Sequence, residues 1–118
     1  MRLITFLIMT LFIPVRAITA ELLVIEQQGC IYCIKWNEEI RKSYPKTALG
    51  EFAPLKFADI NNLPDEIELI STVIYTPTFI LLKNSKELGR VEGYSGEEIF
   101  WFLIEDLFET YTEYQSTY

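Results

Sequence analysis

The chain has 118 residues, 50% of them hydrophobic and 14% aromatic, which suits a single domain with a packed core. Its 17 acids against 10 bases give a formal net charge of −7, so there is no electrostatic footprint for nucleic acid or for an anionic membrane surface. There is no histidine. That excludes Ser–His and Cys–His catalysis and removes the usual nitrogen ligand for zinc or copper, leaving cysteine, carboxylates, hydroxyls and amines to carry any chemistry.

Residues 1–20 read as a secretory signal peptide. Met1-Arg2 is a short positive start, and Leu3 to Ile13 is apolar apart from Thr5 and Thr10. Pro14 breaks the run, and Ala17 and Ala20 each mark a cleavage point. The rival reading is an uncleaved membrane tether. A helix over Leu3 to Ile13 would span only about 16 Å against roughly 30 Å of hydrocarbon, and Arg16 closes the run. Removing Arg2 and Arg16, with no acids, takes the net charge from −7 to −9. The expected destination is the periplasm, where disulfides persist and thiol chemistry needs dedicated proteins.

The remainder divides into a folded unit over 21–110 and a polar, flexible tail over 111–118. Glu21-Leu22-Leu23-Val24-Ile25-Glu26 is a short apolar run, read as a buried strand, and Gln27-Gln28-Gly29 breaks it. Cys33, Trp36, Ile40 and Tyr44 then fall at helical spacing, with Lys35, Glu38, Glu39, Arg41 and Lys42 on the other face, and Pro45 ends the helix. Leu55 to Ile60 alternates as a second strand. Pro64 suits the opening of a second helix through Asp65 to about Thr72, whose early acids favour the positive end.

Thr78 to Leu82 is the most strand-like segment. Asn84-Ser85-Lys86 turns it back into Glu87 to Glu92, and Gly93-Tyr94 ends the hairpin. Ser95 and Glu98 form a capping box for a last helix from about Gly96 to Thr110, with Ile99, Phe102, Leu103 and Leu107 toward the core. Phe100, Trp101, Phe102 and Phe108 exceed what one buried face needs; a core that wraps the helix is favoured over a dimer or docking surface. The predicted order is β-α-β-α-β-β-α: an α/β fold with a four-stranded mixed sheet, a parallel crossover first, a hairpin last, and helices on both faces.

Cys30 and Cys33 are the only cysteines, and they stand where a strand hands over to a helix. At a helix N-terminus, unpaired amides and the helix dipole favour a thiolate, which predicts a lowered Cys30 pKa and a nucleophile for disulfides. Cys33 follows one turn on, facing the core, within reach to resolve a mixed disulfide. A structural disulfide is the bland alternative, but so short a ring constrains the unfolded chain little. Half a zinc site is the other, and nothing in the sequence completes it. The spacing beside a βαβ pattern reads as a redox motif.

These features resemble the thioredoxin superfamily across nearly all of the mature chain. The carrying residues are Cys30-Ile31-Tyr32-Cys33, Thr76-Pro77-Thr78, the Lys83-Asn84-Ser85 turn and Gly93. Narrower cues are Glu26-Gln27-Gln28-Gly29-Cys30, Tyr44-Pro45-Lys46 and Glu92-Gly93-Tyr94-Ser95-Gly96-Glu97, which are similar to the small periplasmic thioredoxins of bacterial sulfur-oxidation systems, the SoxS type. The resemblance implies a thiol–disulfide oxidoreductase that acts on protein disulfides with no cofactor beyond the Cys30–Cys33 pair. It also implies a cis Thr76–Pro77 bond beside the cysteines, with the Thr76 backbone pairing to substrate as an added strand. The residues alone would allow Pro77 simply to open a strand.

The family keeps a buried carboxylate beneath its second cysteine to move a proton. Glu26 and Asp59 are the candidates here, although Glu26 is not at the usual offset. The family aromatic before the motif is replaced by Gln28-Gly29, so a less aromatic substrate groove is expected, with Trp36 in the core. Ile31-Tyr32 places no positive group between the cysteines, which favours a reductase, or a mildly poised exchanger, over an oxidase, with a disulfide oxidase or isomerase as the alternative. The Sox-type resemblance agrees, and implies a membrane thiol-electron transporter as reductant. The rival from another class is a thioredoxin-fold binding or chaperone module with an incidental disulfide.

Overall fold

The computed structural model describes residues 7–13 and 20–116. The signal peptide expected over 1–20 therefore lies largely outside the described residues, and within it 7–13 form neither helix nor strand. The elements are β1 (Ala20–Glu26), α1 (Ile31–Glu39), a 3-10 turn (Tyr44–Lys46), α2 (Ala48–Phe52), β2 (Leu55–Asp59), β3 (Thr78–Lys83), β4 (Lys86–Glu92) and α3 (Glu97–Tyr111). They build a four-stranded sheet in the order β2-β1-β3-β4. β1 runs parallel to β2 and antiparallel to β3, which forms a hairpin with β4.

A strand buried on both faces reads as a continuous apolar run, and β1 and β3 are the two inner strands. Alternation then sends Leu22, Val24, Phe79 and Leu81 to one face, and Leu23, Ile25, Ile80 and Leu82 to the other. The hairpin closes through Asn84 (φ 52°) and Ser85 (φ 62°), the paired left-handed residues that match the twist of a two-residue turn.

The first face carries all three helices. Trp36 has no exposed surface and sits among the Phe57, Phe79 and Phe100 rings, with centroids 6.2, 5.3 and 6.0 Å away. Helix α1 stops at Glu39, earlier than the apolar spacing suggested, and Ile40 caps it. Tyr44 is still buried, because its hydroxyl donates to the Ala53 carbonyl at 2.7 Å and burial holds its phenol protonated. Thr47 caps α2 by accepting from the Gly50 amide. A Cβ on Gly50 would lie 2.0 Å from the Tyr44 carbonyl oxygen, so only glycine fits that crossing.

The helix expected from Asp65 to Thr72 is absent. Residues 60–77 instead cross the second face as irregular chain, with Leu63, Ile67, Leu69 and Val73 packed on the sheet. The reason is competition for backbone groups. The Glu68 amide donates to Ser85, and the Glu68 carbonyl accepts from Glu87, so the segment runs extended beside β4. Arg90 donates to the Ser71 and Thr72 carbonyls, and the Ile70 amide donates to Glu87. Ser71-Thr72-Val73-Ile74 also has weak helix propensity. Helices therefore cover one face, and this laced segment covers the other.

Helix α3 is rotated from the expected register. Phe100, Ile104, Leu107 and Phe108 face inward, while Ile99, Phe102 (71% exposed) and Leu103 point outward. Gly96 caps it, with no side-chain bond from Ser95. The stretch read as a flexible tail folds back as far as Ser116. Tyr114 packs on Phe52 and Phe108, and the Ser116 amide donates to Glu109. At the start of β1, Ala20 is buried and pairs with Lys83.

Arg90 grips Glu87 through two hydrogen bonds, Nε at 2.7 Å and an amino nitrogen at 2.6 Å. Burial alone would push the Glu87 carboxyl up; the guanidinium and the Ile70 amide outweigh it and hold the group below the usual glutamate range. A carboxyl lowered in the folded state adds stability above its unfolded pKa of about 4.3 and loses it as pH falls through the lower folded value. Urea midpoints of the native chain are therefore expected to drop across that acid window, while Glu87→Gln flattens the drop. Equal slopes for the two proteins would refute the assignment.

Candidate active site

Gly29 (φ 80°) ends the turn after β1 in a conformation that favours glycine, and delivers the chain to α1. Cys30 stands at the N-cap in extended conformation, and the Cys33 amide donates to its sulfur at 3.1 Å. The two cysteines form a disulfide, with Cα atoms 5.2 Å apart. Their environments differ. Cys33 is 3% exposed and turned to the core, whereas Cys30 is half-buried at the helix tip.

Two depressions flank this pair. One, of about 550 Å³, is lined by Tyr32, Tyr75, Thr76, Glu92, Gly93, Tyr94 and Ser95. Thr76 thus reaches the same groove as the motif residue Tyr32. The Thr76–Pro77 bond is cis, Pro77 is buried, and the Pro77 carbonyl accepts from the Gly93 amide at 2.8 Å. Aromatic side chains that the motif's lead-in does not supply stand elsewhere on this groove: Tyr32 and Tyr75 are 61% and 58% exposed on its rim, with Ile31 and Ile74 exposed nearby. Tyr94 closes its floor. Burial first, then the Glu39 and Glu97 carboxylates, push that phenol up to about 12, so it stays protonated at neutral pH.

The second depression, of about 510 Å³, holds both cysteines with Glu26, Ile34, Asn37, Phe57 and Asp59 on its walls. Glu26 ends β1 and Asp59 ends β2, and the parallel register sets them side by side. They are not equivalent. Asp59 is exposed and uses Oδ1 to accept the Asn61 amide at 2.7 Å, which shapes the turn after β2. Glu26 is half-buried and accepts from the Asn37 side chain, which also donates to the Cys33 carbonyl at 2.7 Å. Asn37, Tyr75 and Tyr94 were not singled out from the sequence. The only signals for them were a polar residue one turn after Cys33 and aromatics adjoining the Thr76-Pro77 and Gly93 markers.

Among the described residues, no group of three His, Cys, Asp or Glu side chains could hold a metal ion, and no helix is long and apolar enough to cross a membrane. Within this site the sulfur pair is the group that can accept or give two electrons. Mounted at a helix tip beside a cis X-Pro strand on this sheet, it makes the protein a thiol–disulfide oxidoreductase of thioredoxin fold. No protein-family model matches the sequence, and no curated protein matches it.

Eight solved chains do match. The periplasmic thioredoxin SoxS from Paracoccus pantotrophus is 42% identical, with TM-score 0.74, over 76% of this chain and 96% of that one. Thioredoxin-2 of the malaria parasite, a component of its protein secretion machinery, is 26% identical with TM-score 0.54, over 75% of this chain and 84% of that one. A thioredoxin-fold protein from Helicobacter pylori, 18% identical with TM-score 0.56 over 83% and 74%, shares the fold. The chain belongs to the thioredoxin family, and among these structures it is similar to the SoxS periplasmic thioredoxin.

The unequal exposure of the two sulfurs has a direct readout. After reduction, iodoacetamide at neutral pH is expected to label Cys30 faster than free cysteine, and Cys33 only once the protein is unfolded. Mass spectrometry of the labelled peptides measures this. Equal labelling of both thiols would contradict the geometry.

Proposed function

We propose that this chain is an exported reductase of protein disulfides, in which Cys30 attacks substrate and Cys33 releases it. One observation carries the reading: the half-buried sulfur caps the helix and accepts an amide hydrogen bond, while its partner lies 3% exposed behind it. The Cys30 thiolate attacks one sulfur of a substrate disulfide, and that bond breaks. The departing substrate sulfur takes a proton from solvent. Cys33 then loses its proton and attacks Cys30 Sγ, expels the second substrate sulfur, and closes the Cys30–Cys33 disulfide. A thiol reductant returns two electrons and two protons.

The substrate chain lies in the groove beside Tyr32 and Tyr75, paired to the Thr76 backbone, with Pro77 fixing that edge. Glu26, on the wall shared with Cys33, is the carboxylate that receives the Cys33 proton; Asp59 is committed to its turn. Export through a cleaved signal at 1–20 fits the likeness to a periplasmic thioredoxin. The same likeness supports sulfur-oxidation proteins as substrates and a membrane thiol-electron transporter as the reductant. Ile31 and Tyr32 add no charge that would stabilise the reduced form as strong oxidants require, which supports the reducing direction.

Cys30→Ser is expected to lower insulin-disulfide reduction to background, and Cys33→Ser to accumulate a mixed disulfide with its partner. Glutathione equilibration is expected to place the native couple nearer to about −270 mV than to about −120 mV. Insulin reduction that survives Cys30→Ser would leave the protein a binding module, and a potential at the upper end would make it an oxidase.

A further inference from the structure

Asn37 lies one helical turn beyond Cys33, and every polar atom of its side chain is engaged. Its Nδ2 donates to Glu26 Oε1 at 2.5 Å and to the Cys33 carbonyl at 2.7 Å. Its Oδ1 accepts from Arg41 at 3.0 Å. Arg41 is itself placed with its guanidinium carbon 4.1 Å from the Phe57 ring centroid. An amide whose oxygen accepts from a cation is polarised into a better donor, so the chain from Arg41 to Glu26 strengthens along its length. An amide has two N–H groups, and here they go to the backbone of the resolving cysteine and to the carboxylate beside it.

We propose that Asn37, backed by Arg41, is a positioning residue for the resolving step: it holds the Glu26 carboxylate at a fixed place in the cleft beside Cys33. The inference rests on the reductase reading above. Glu26 is otherwise an end-of-strand side chain with rotamer freedom, and a base contributes only when held near its proton. Tying the carboxylate to the residue one turn after Cys33 makes base and thiol move as one body. In the step itself the Cys33 proton passes to Glu26, and the Cys33 electron pair forms the bond to Cys30 Sγ. The Cys30–substrate bond breaks, and the substrate thiolate leaves. Asn37 touches neither sulfur in this scheme; it acts through Glu26.

The test separates attack from release. Mixing the reduced protein with Ellman's reagent releases one coloured thiolate as Cys30 is modified, and a second as Cys33 displaces the first adduct. Stopped flow records the two phases. Asn37→Leu is expected to leave the first phase within about twofold and to slow the second about tenfold at neutral pH, part of the roughly hundredfold a positioned base supplies. Its pH profile moves to that of an unassisted thiol. Asn37→Asp, which keeps the shape but turns donors toward acceptors, is expected to do the same.

Glu26→Gln slows the second phase at least as much, and adding Asn37→Leu to it costs nothing further, because both act through one carboxylate. A second phase unchanged in Asn37→Leu or Glu26→Gln, multiplicative losses in the double variant, or a first phase slowed equally would each overturn the proposal. Failure of the reductase reading looks different. There insulin reduction survives Cys30→Ser or the couple lies near about −120 mV, while the native protein still shows both phases.

Discussion

The seating of α1 on the sheet is the contact on which the rest depends. Trp36 has no exposed surface, and its ring meets Phe57 from β2, Phe79 from β3 and Phe100 from α3. Aromatic rings in offset or edge-on contact combine a large buried area with defined orientation. Cys33 lies one turn before Trp36 on the same face and Cys30 caps the same helix, so whatever holds the tryptophan also holds the sulfur pair. Burial of Cys33 and partial exposure of Cys30 follow from one rigid placement.

The sheet then sets the surroundings of that pair. Parallel pairing of β1 with β2 brings Glu26 and Asp59 to the same end, which is the end where α1 begins. The antiparallel partner β3 starts at Thr78, so the residues just ahead of it, Tyr75 to Pro77, arrive on the other side of the cysteines. The wall that carries Glu26 and Asp59 and the groove that carries Tyr75 and Thr76 thereby lie on either side of the disulfide.

The parts written in local pattern were legible in the sequence. The apolar runs of β1 and β3, the Asn84-Ser85 turn and the Cys30–Cys33 motif each specify their own geometry with little help from distant residues. What was illegible depended on tertiary competition. Asp65 to Thr72 carries acids and an opening proline that favour a helix, yet Glu87 and Arg90, distant in sequence, claim its backbone groups. Helix α3 is apolar on more than one stripe, so periodicity alone could not choose Phe100 and Ile104 over Ile99 and Leu103. Asn37 was hidden for a further reason: an asparagine on a helix gives no pattern until its partners are folded around it.

The clasp of Arg90 on the carbonyls of Ser71 and Thr72 bears on the groove at a distance. Only Val73, Ile74 and Tyr75 separate that anchor from Thr76, and Val73 is itself buried under the sheet. A tether of that length extends at most about 3.5 Å per residue, which limits how far the ledge can travel from its anchor. On its far side Pro77 is bound to Gly93 and leads directly into β3. The ledge from Val73 to Pro77 is consequently moored at both ends to the hairpin, a quay rather than a hinge.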